Sequence, residues 1–316
     1  MLVNSPSPLP VVRIGEISRE SRAQPWLVEQ LWGASSVGVI GGAPKCSKTW
    51  LGLDLALSVA TGTACLGRYA VPQPGPVLVY LAEDALPIVR QRVEGMARHR
   101  GLALEQVEID VITAPTLRLD RDPHRRQLRE TARRLQPRLL LLDPLVRLHG
   151  IDENSAGEVA GLLAYIRELQ RQLDLSVMLV HHTRKNAAAV AAGQSLRGSG
   201  DLHAFGDSNL YLRRVKDRLL LVSEHRAAPA SPPVYLDLVA TDADTAHLEV
   251  VTHVHDQPQR SLPEQVLSLL AGGAVLTRTK LRNTLAVKNQ RLGEALQSLE
   301  RAGRLRRTRD GWQRLD

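Results

Sequence analysis

The sequence predicts an α/β chain: a large domain on a mostly parallel sheet, followed by a small helical domain closed by a hairpin. Three observations carry this reading. Short apolar runs of strand type alternate with segments of helical period through the first two thirds of the chain. The first such run feeds a loop, Gly41-Gly42-Ala43-Pro44-Lys45-Cys46-Ser47-Lys48-Thr49, from which a helical segment leaves. Beyond residue 260 the pattern changes to short amphipathic helices with a strongly basic balance.

In order along the chain, residues 1–25 are rich in Pro and Ser, show no period, and read as an arm. Strand-type runs follow at 37–40, 77–81, 139–142, 176–180, 209–212 and 219–222. Segments 50–60 and 86–98 between them have helical period, as does 158–173 after the third run. Strands alternating with helices imply a parallel sheet covered on both faces. The last two runs lie closer together and read as hairpin additions at one edge. A Pro-rich break at 229–233 precedes a β-like stretch at 246–251, so the large domain is expected over 26–252 and a linker over 253–260.

The small domain, 261–316, has its own logic. Ser261 and Glu264 form a capping box ahead of Val266, Leu269 and Leu270. Thr277 caps a second short helix. A third places Leu292, Leu296 and Leu299 on one face and stops near Gly303. Residues 305–315 fold as a hairpin with Asp310-Gly311 as a type I′ turn. Three helices and a hairpin are the layout of a winged helix.

Composition narrows the partners. Between Ser261 and Asp316, 11 Lys and Arg stand against 5 acidic residues, so this tail holds most of the chain's net +8. A basic small domain implies a polyanion partner, nucleic acid before membrane, with a merely solvated charged surface as the alternative. In a winged helix the third helix enters the major groove; here it offers Lys288, Asn289, Gln290, Arg291 and Gln297, and the hairpin offers Arg304, Arg306, Arg307 and Arg309. No apolar run approaches the roughly 18 residues of a membrane span. The opening residues lack the basic-then-apolar build of a secretory signal. Cys46 and Cys65 form neither a metal spacing nor a disulfide framework, so a reduced, cytoplasmic setting is expected.

The loop before Thr49 carries the chemistry. A phosphate loop needs flexible backbone with inward amides, a Lys for the β and γ phosphates, and a hydroxyl for Mg2+. Lys48 and Thr49 fill the last two roles, and the strand–loop–helix context is the required one. Residues Gly42 to Trp50 (Gly42, Ala43, Pro44, Lys45, Cys46, Ser47, Lys48, Thr49 and Trp50) are the expected ATP-binding segment. Ser47 stands where such loops have Gly, which predicts strain of roughly 1–2 kcal/mol. Asp143, ending the run of four leucines, falls at the carboxyl edge of the sheet as a Mg2+ partner. Glu83, at the end of the second run, is the candidate general base, with Asp84 the better cap for the next helix. His181-His182-Thr183 places a polar group near the γ-phosphate; a zinc site is disfavoured, since no third ligand has suitable spacing.

These residues converge on a family. The segments Gly42-Ala43-Pro44-Lys45 through Lys48-Thr49-Trp50-Leu51, Tyr80-Leu81-Ala82-Glu83-Asp84, Asp143-Pro144-Leu145 with Asp152-Glu153-Asn154-Ser155, and His181-His182-Thr183-Arg184-Lys185 resemble the RepA-type hexameric helicases. These are RecA-like P-loop ATPases related to the DnaB replicative helicases. The resemblance spans roughly residues 26–251. It implies a homo-oligomeric ring, usually a hexamer, with ATP between subunits. It supports Lys48, Thr49, Glu83, Asp143 and His182 as site residues, and adds Arg226 as an arginine finger acting on a neighbour's γ-phosphate. It also implies that 147–158 and 183–200 line a pore, with Arg184 and Lys185 touching the phosphates of single-stranded DNA. With a single Phe in the chain, DNA contact is expected to be electrostatic rather than by base stacking. The implied activity is an ATP-driven helicase motor in replication of a plasmid, phage or integrated element. A nucleotide-dependent DNA-binding switch that does not unwind is the alternative.

Overall fold

The computed structural model describes residues 11–16, 26–153, 155–182, 201–242, 245–251, 262–285, 287 and 289–315. The chain divides into two compact units after Val251. The expected linker, 253–260, lies outside the described residues.

The first unit begins with a small antiparallel pair, β1 (Trp26–Val28) and β2 (Trp32–Gly33). Then come β3 (Val37–Gly42), α1 (Lys48–Thr61), β4 (Val77–Leu81), α2 (Leu86–His99), β5 (Ile109–Val111), α3 (Asp122–Leu135), β6 (Leu139–Asp143), α4 (Ala156–Leu173), β7 (Ser176–His182) and α5 (Asp201–Phe205). Four strands finish it: β8 (Ser208–Val215), β9 (Arg218–His225), β10 (Val234–Ala240) and β11 (Ala246–Val250). Nine strands form one sheet in the order β11-β10-β9-β8-β3-β7-β6-β4-β5. From β8 through β5 all neighbours are parallel; β8 to β11 are successively antiparallel. The additions do extend one edge, as the close spacing of the later runs predicts.

The leucine run of β6 shows why the sheet is covered twice. Side chains alternate across a strand, so Leu139 and Leu141 join the core containing Leu51 and Leu55 of α1, while Leu140 and Leu142 join the core containing Ile166 and Leu169 of α4. A strand buried on both faces reads as an unbroken apolar run. Helix α1 lies so close to the sheet that a Cβ at Gly52 would stand 3.2 Å from a Leu141 methyl. Its buried Asp54 is neutralised by Arg100 at 2.6 Å.

The second unit comprises α6 (Leu262–Leu269), β12 (Val275–Leu276), α7 (Arg278–Leu285), α8 (Asn289–Arg301), β13 (Leu305–Thr308) and β14 (Gly311–Arg314). Its sheet runs β12-β14-β13, and Val266, Leu270, Leu281, Leu292, Leu296 and Leu299 make its core. The Lys280 amide donates to Thr277 Oγ1 at 3.3 Å, the cap expected of that threonine. Ser261, half of the expected capping box, lies outside the described residues. The hairpin turn differs from expectation. Thr308 pairs with Gly311, so Arg309 and Asp310 are the turn residues and neither has a positive φ. A type I′ turn is therefore not formed; Gly311 instead takes φ 144° where its missing Cβ makes room for the Leu276 carbonyl.

Candidate functional site

The carboxyl ends of β3, β4, β6 and β7 meet at one edge of the sheet. Register fixes their neighbours: Gly42 lies opposite His182, and Leu81 opposite Asp143. Between β3 and α1 the chain turns through Ala43–Ser47. Lys45 and Ser47 both adopt φ 62°, left-handed backbone that L residues take at a cost. The strain expected at Ser47 is therefore present in the structure, and its side chain makes no capping hydrogen bond in return. Gly42 has no substitute: a Cβ there would fall 2.5 Å from Cys46 Sγ and 2.6 Å from the Leu212 carbonyl oxygen.

Lys48 is buried, and its Nζ donates to the Ala43 carbonyl at 2.8 Å, with Cys46 Sγ 3.9 Å away. Burial pulls its pKa down, opposed by the charges of Asp143 and Glu83 among others. Burial likewise pushes the Cys46 thiol up. Thr49 Oγ1 donates to Asp143 Oδ2 at 2.6 Å. Burial pushes Asp143 up to about 6, despite the Thr49 bond and the Lys48 charge that favour its ionised form. A carboxylate and a hydroxyl in contact, beside a buried lysine, form an oxygen set suited to Mg2+ and a triphosphate.

These groups open on a cavity of about 300 Å³ lined by Lys45 to Trp50, Glu83, Asp84, Arg92, Asp143 and His182. Of the expected ATP-binding segment, Gly42, Ala43 and Pro44 do not line it. Glu83 sits at its rim in a 2.8 Å ion pair with Arg147. Asp84 does not cap α2: the N-cap is Ala85, with no side-chain bond, and Asp84 pairs with Arg92 at 2.7 Å. That arginine's guanidinium lies 5.3 Å from the Trp50 ring centroid. Behind His182, buried His181 and His149 approach Glu153 Oε1 at 3.9 and 3.6 Å. Among the described residues no cluster of three His, Cys, Asp or Glu could hold a metal ion.

Arg226 does not join this cavity. Since β9 runs against β8, its end pairs with the start of β8, whereas Leu212 of β8 lies beside Gly42. Arg226 is thus at the opposite edge of the sheet, its Nη2 donating to the Ala204 carbonyl at 2.5 Å and its Nη1 3.4 Å from Asp207. Arg184, Lys185, Lys288 and Asn154 lie outside the described residues. In the second unit Asn289, Arg291, Arg306, Arg307 and Arg309 are exposed, and Arg306 also binds Gln313 Oε1 at 2.9 Å.

Arg92 is the cavity residue that the motifs did not reveal. It lies on α2, eight positions beyond its partner, and nothing in the local sequence separates it from the neighbouring Arg90.

A family model described as an AAA domain matches residues 4–188, more than half of the chain. A solved structure described as the crystal structure of the RadB recombinase is similar at TM-score 0.48 and 16% identity, covering 65% of this chain and 88% of that chain. Among the described residues no helix is long and apolar enough to cross a membrane.

Proposed function

We propose that this chain, which belongs to the AAA-domain family, is a RecA-like P-loop ATPase that hydrolyses ATP and uses the cycle on DNA as a RepA-type helicase motor. The observation that supports this most is the 2.6 Å contact of Thr49 with Asp143 beside buried Lys48 in one cavity. In this reading the loop amides and Lys48 hold the β and γ phosphates. Thr49 and Asp143 would hold Mg2+, which supplies charge neutralisation between the phosphates. Glu83 takes the proton of the attacking water once Arg147 releases it, and His182 contacts the γ-phosphate. Arg226, too far round the sheet to serve its own cavity, serves that of the next subunit in a ring. Its bonds to Ala204 and Asp207 are exchanged for phosphate there.

The exposed arginines of the second unit fit a DNA backbone, and the unit's three helices and hairpin fit a winged helix. Binding would then fall steeply with salt. A second reading, a nucleotide-dependent DNA switch that does not unwind, is favoured by two observations: Ser47 in strained backbone and Glu83 tied to Arg147.

The test is ATP turnover by the full chain with and without single-stranded DNA, alongside displacement of a strand from a forked duplex. Turnover that Lys48→Ala abolishes, with displacement, is expected. Turnover without displacement transfers the case to the switch, and ATP binding unaltered in Lys48→Ala rejects the site.

A further inference from the structure

The two carboxylates that follow β4 are held differently. Glu83 pairs with Arg147 in the open, with side chains 46% and 62% exposed. An exposed pair of this kind holds weakly and exchanges readily. Asp84 pairs with Arg92 under shelter, at 25% and 23%. The Arg92 guanidinium also covers the Trp50 ring, and Trp50 follows Thr49 in the first turn of α1. One side chain therefore touches the segment after β4 and the first turn of α1, while being anchored on α2.

We propose that Arg92 is a positioning residue for hydrolysis: by gripping Asp84 and bracing Trp50, it fixes the Glu83-bearing segment against the helix turn that carries Lys48 and Thr49. This rests on the nucleotide-hydrolysis reading above. The cavity gathers three carboxylates, Glu83, Asp84 and Asp143. With Asp84 committed to a sheltered cation, Glu83 is the one of the adjacent pair whose partner can leave, which sets Glu83 apart as the base. The backbone bond from the Ala82 amide to the Asp143 carbonyl, 2.8 Å, ties this segment to β6 from below. Arg92 ties it from the side. A guanidinium suits the task because its edge pairs with a carboxylate while its face stacks on an indole; an ammonium cannot do both.

The experiment compares the full wild-type chain with Arg92→Ala, Arg92→Lys, Asp84→Asn and the double variant Asp84→Asn/Arg92→Ala. It measures kcat and KM for ATP, affinity for a fluorescent ATP analogue, and thermal unfolding. Misplacing a catalytic group by about 1 Å costs on the order of 100-fold. Arg92→Ala is therefore expected to lower kcat by about 10- to 100-fold, with KM and analogue affinity within about threefold. Arg92→Lys should recover part of that loss, and the double variant should fall no further than Arg92→Ala alone. Asp84→Asn, which keeps the shape of the site, should lose kcat in the same way even if Arg92→Ala unfolds. A raised KM with kcat intact makes Arg92 a direct nucleotide contact and overturns the positioning role. Unchanged kinetics, or losses that add independently, overturn it as well. A wild type that never turns over ATP overturns the hydrolysis reading together with this inference, whereas an active wild type matched by Arg92→Ala and Asp84→Asn overturns the inference alone.

Discussion

Replacing Ser47 by glycine takes a side chain away from left-handed backbone, φ 62° and ψ 27°, at the entrance to α1. For an L residue that conformation costs about 1–2 kcal/mol. The hydroxyl returns nothing, since it makes no capping bond. Glycine gives back about 0.4–1 kcal/mol through the greater freedom of its unfolded chain. The difference leaves a net stabilisation of about 0–1.5 kcal/mol. At about 2–4 °C per kcal/mol for a unit of this size, the unfolding midpoint should rise by up to about 6 °C. ATP affinity should hold or improve, because the β-phosphate then meets backbone without a Cβ. The assays are thermal unfolding by circular dichroism without nucleotide, and ATP turnover. A midpoint lowered by more than about 2 °C, or weaker ATP binding, would refute the strain argument and show that the hydroxyl makes a contact worth more than the strain.

Three further outcomes follow from the same geometry. Gly42→Ala drives a methyl into Cys46 Sγ and the Leu212 carbonyl; it should abolish ATP binding and lower stability by about 1–3 kcal/mol in denaturant unfolding. Asp143 has a folded pKa of about 6 against an ordinary 3.8, so folding takes up a proton in that window. The Mg2+-free protein should gain about 2 kcal/mol from this group as pH falls from 7 to 4, a gain that Asp143→Asn removes; Mg2+-dependent ATP binding should weaken over the same fall. Arg226→Ala should cut turnover by about 10³-fold or more with ATP binding unchanged, and wild-type specific activity should rise with protein concentration. Activity independent of concentration would exclude a finger acting between subunits.

The lining of the candidate site was largely legible in the sequence, because a phosphate loop calls for particular residue types at close spacing. Lys48, Thr49, Glu83, Asp143 and His182 all reach one cavity. What stayed hidden depends on distant or weak patterns. Helix α3 buries only Leu128 and Ala132, too sparse a stripe to declare its period. Strand β5 has three residues, and β10 begins directly after the prolines that disguise it. The hairpin turn was misread because Gly311 serves a close approach rather than a turn. Arg92 was missed since its two partners are assembled only by the fold, and the same holds for the grip of Arg147 on Glu83.

The near-contact of Gly52 with Leu141 has a consequence for how this chain can vary. Gly52 is three residues from Thr49, and Leu141 two residues from Asp143. Methyls of Leu141 and Ile40 fill the space between the α1 backbone and the sheet one turn below the two oxygen donors. A single added methyl at position 52 would press on the Leu141 methyls at 3.2 and 3.3 Å, so that side chain must give by a few tenths of an ångström or α1 must lift from the sheet. A glycine that lines no part of the cavity thus governs how closely the helix carrying Lys48 and Thr49 can sit against the strand that ends in Asp143.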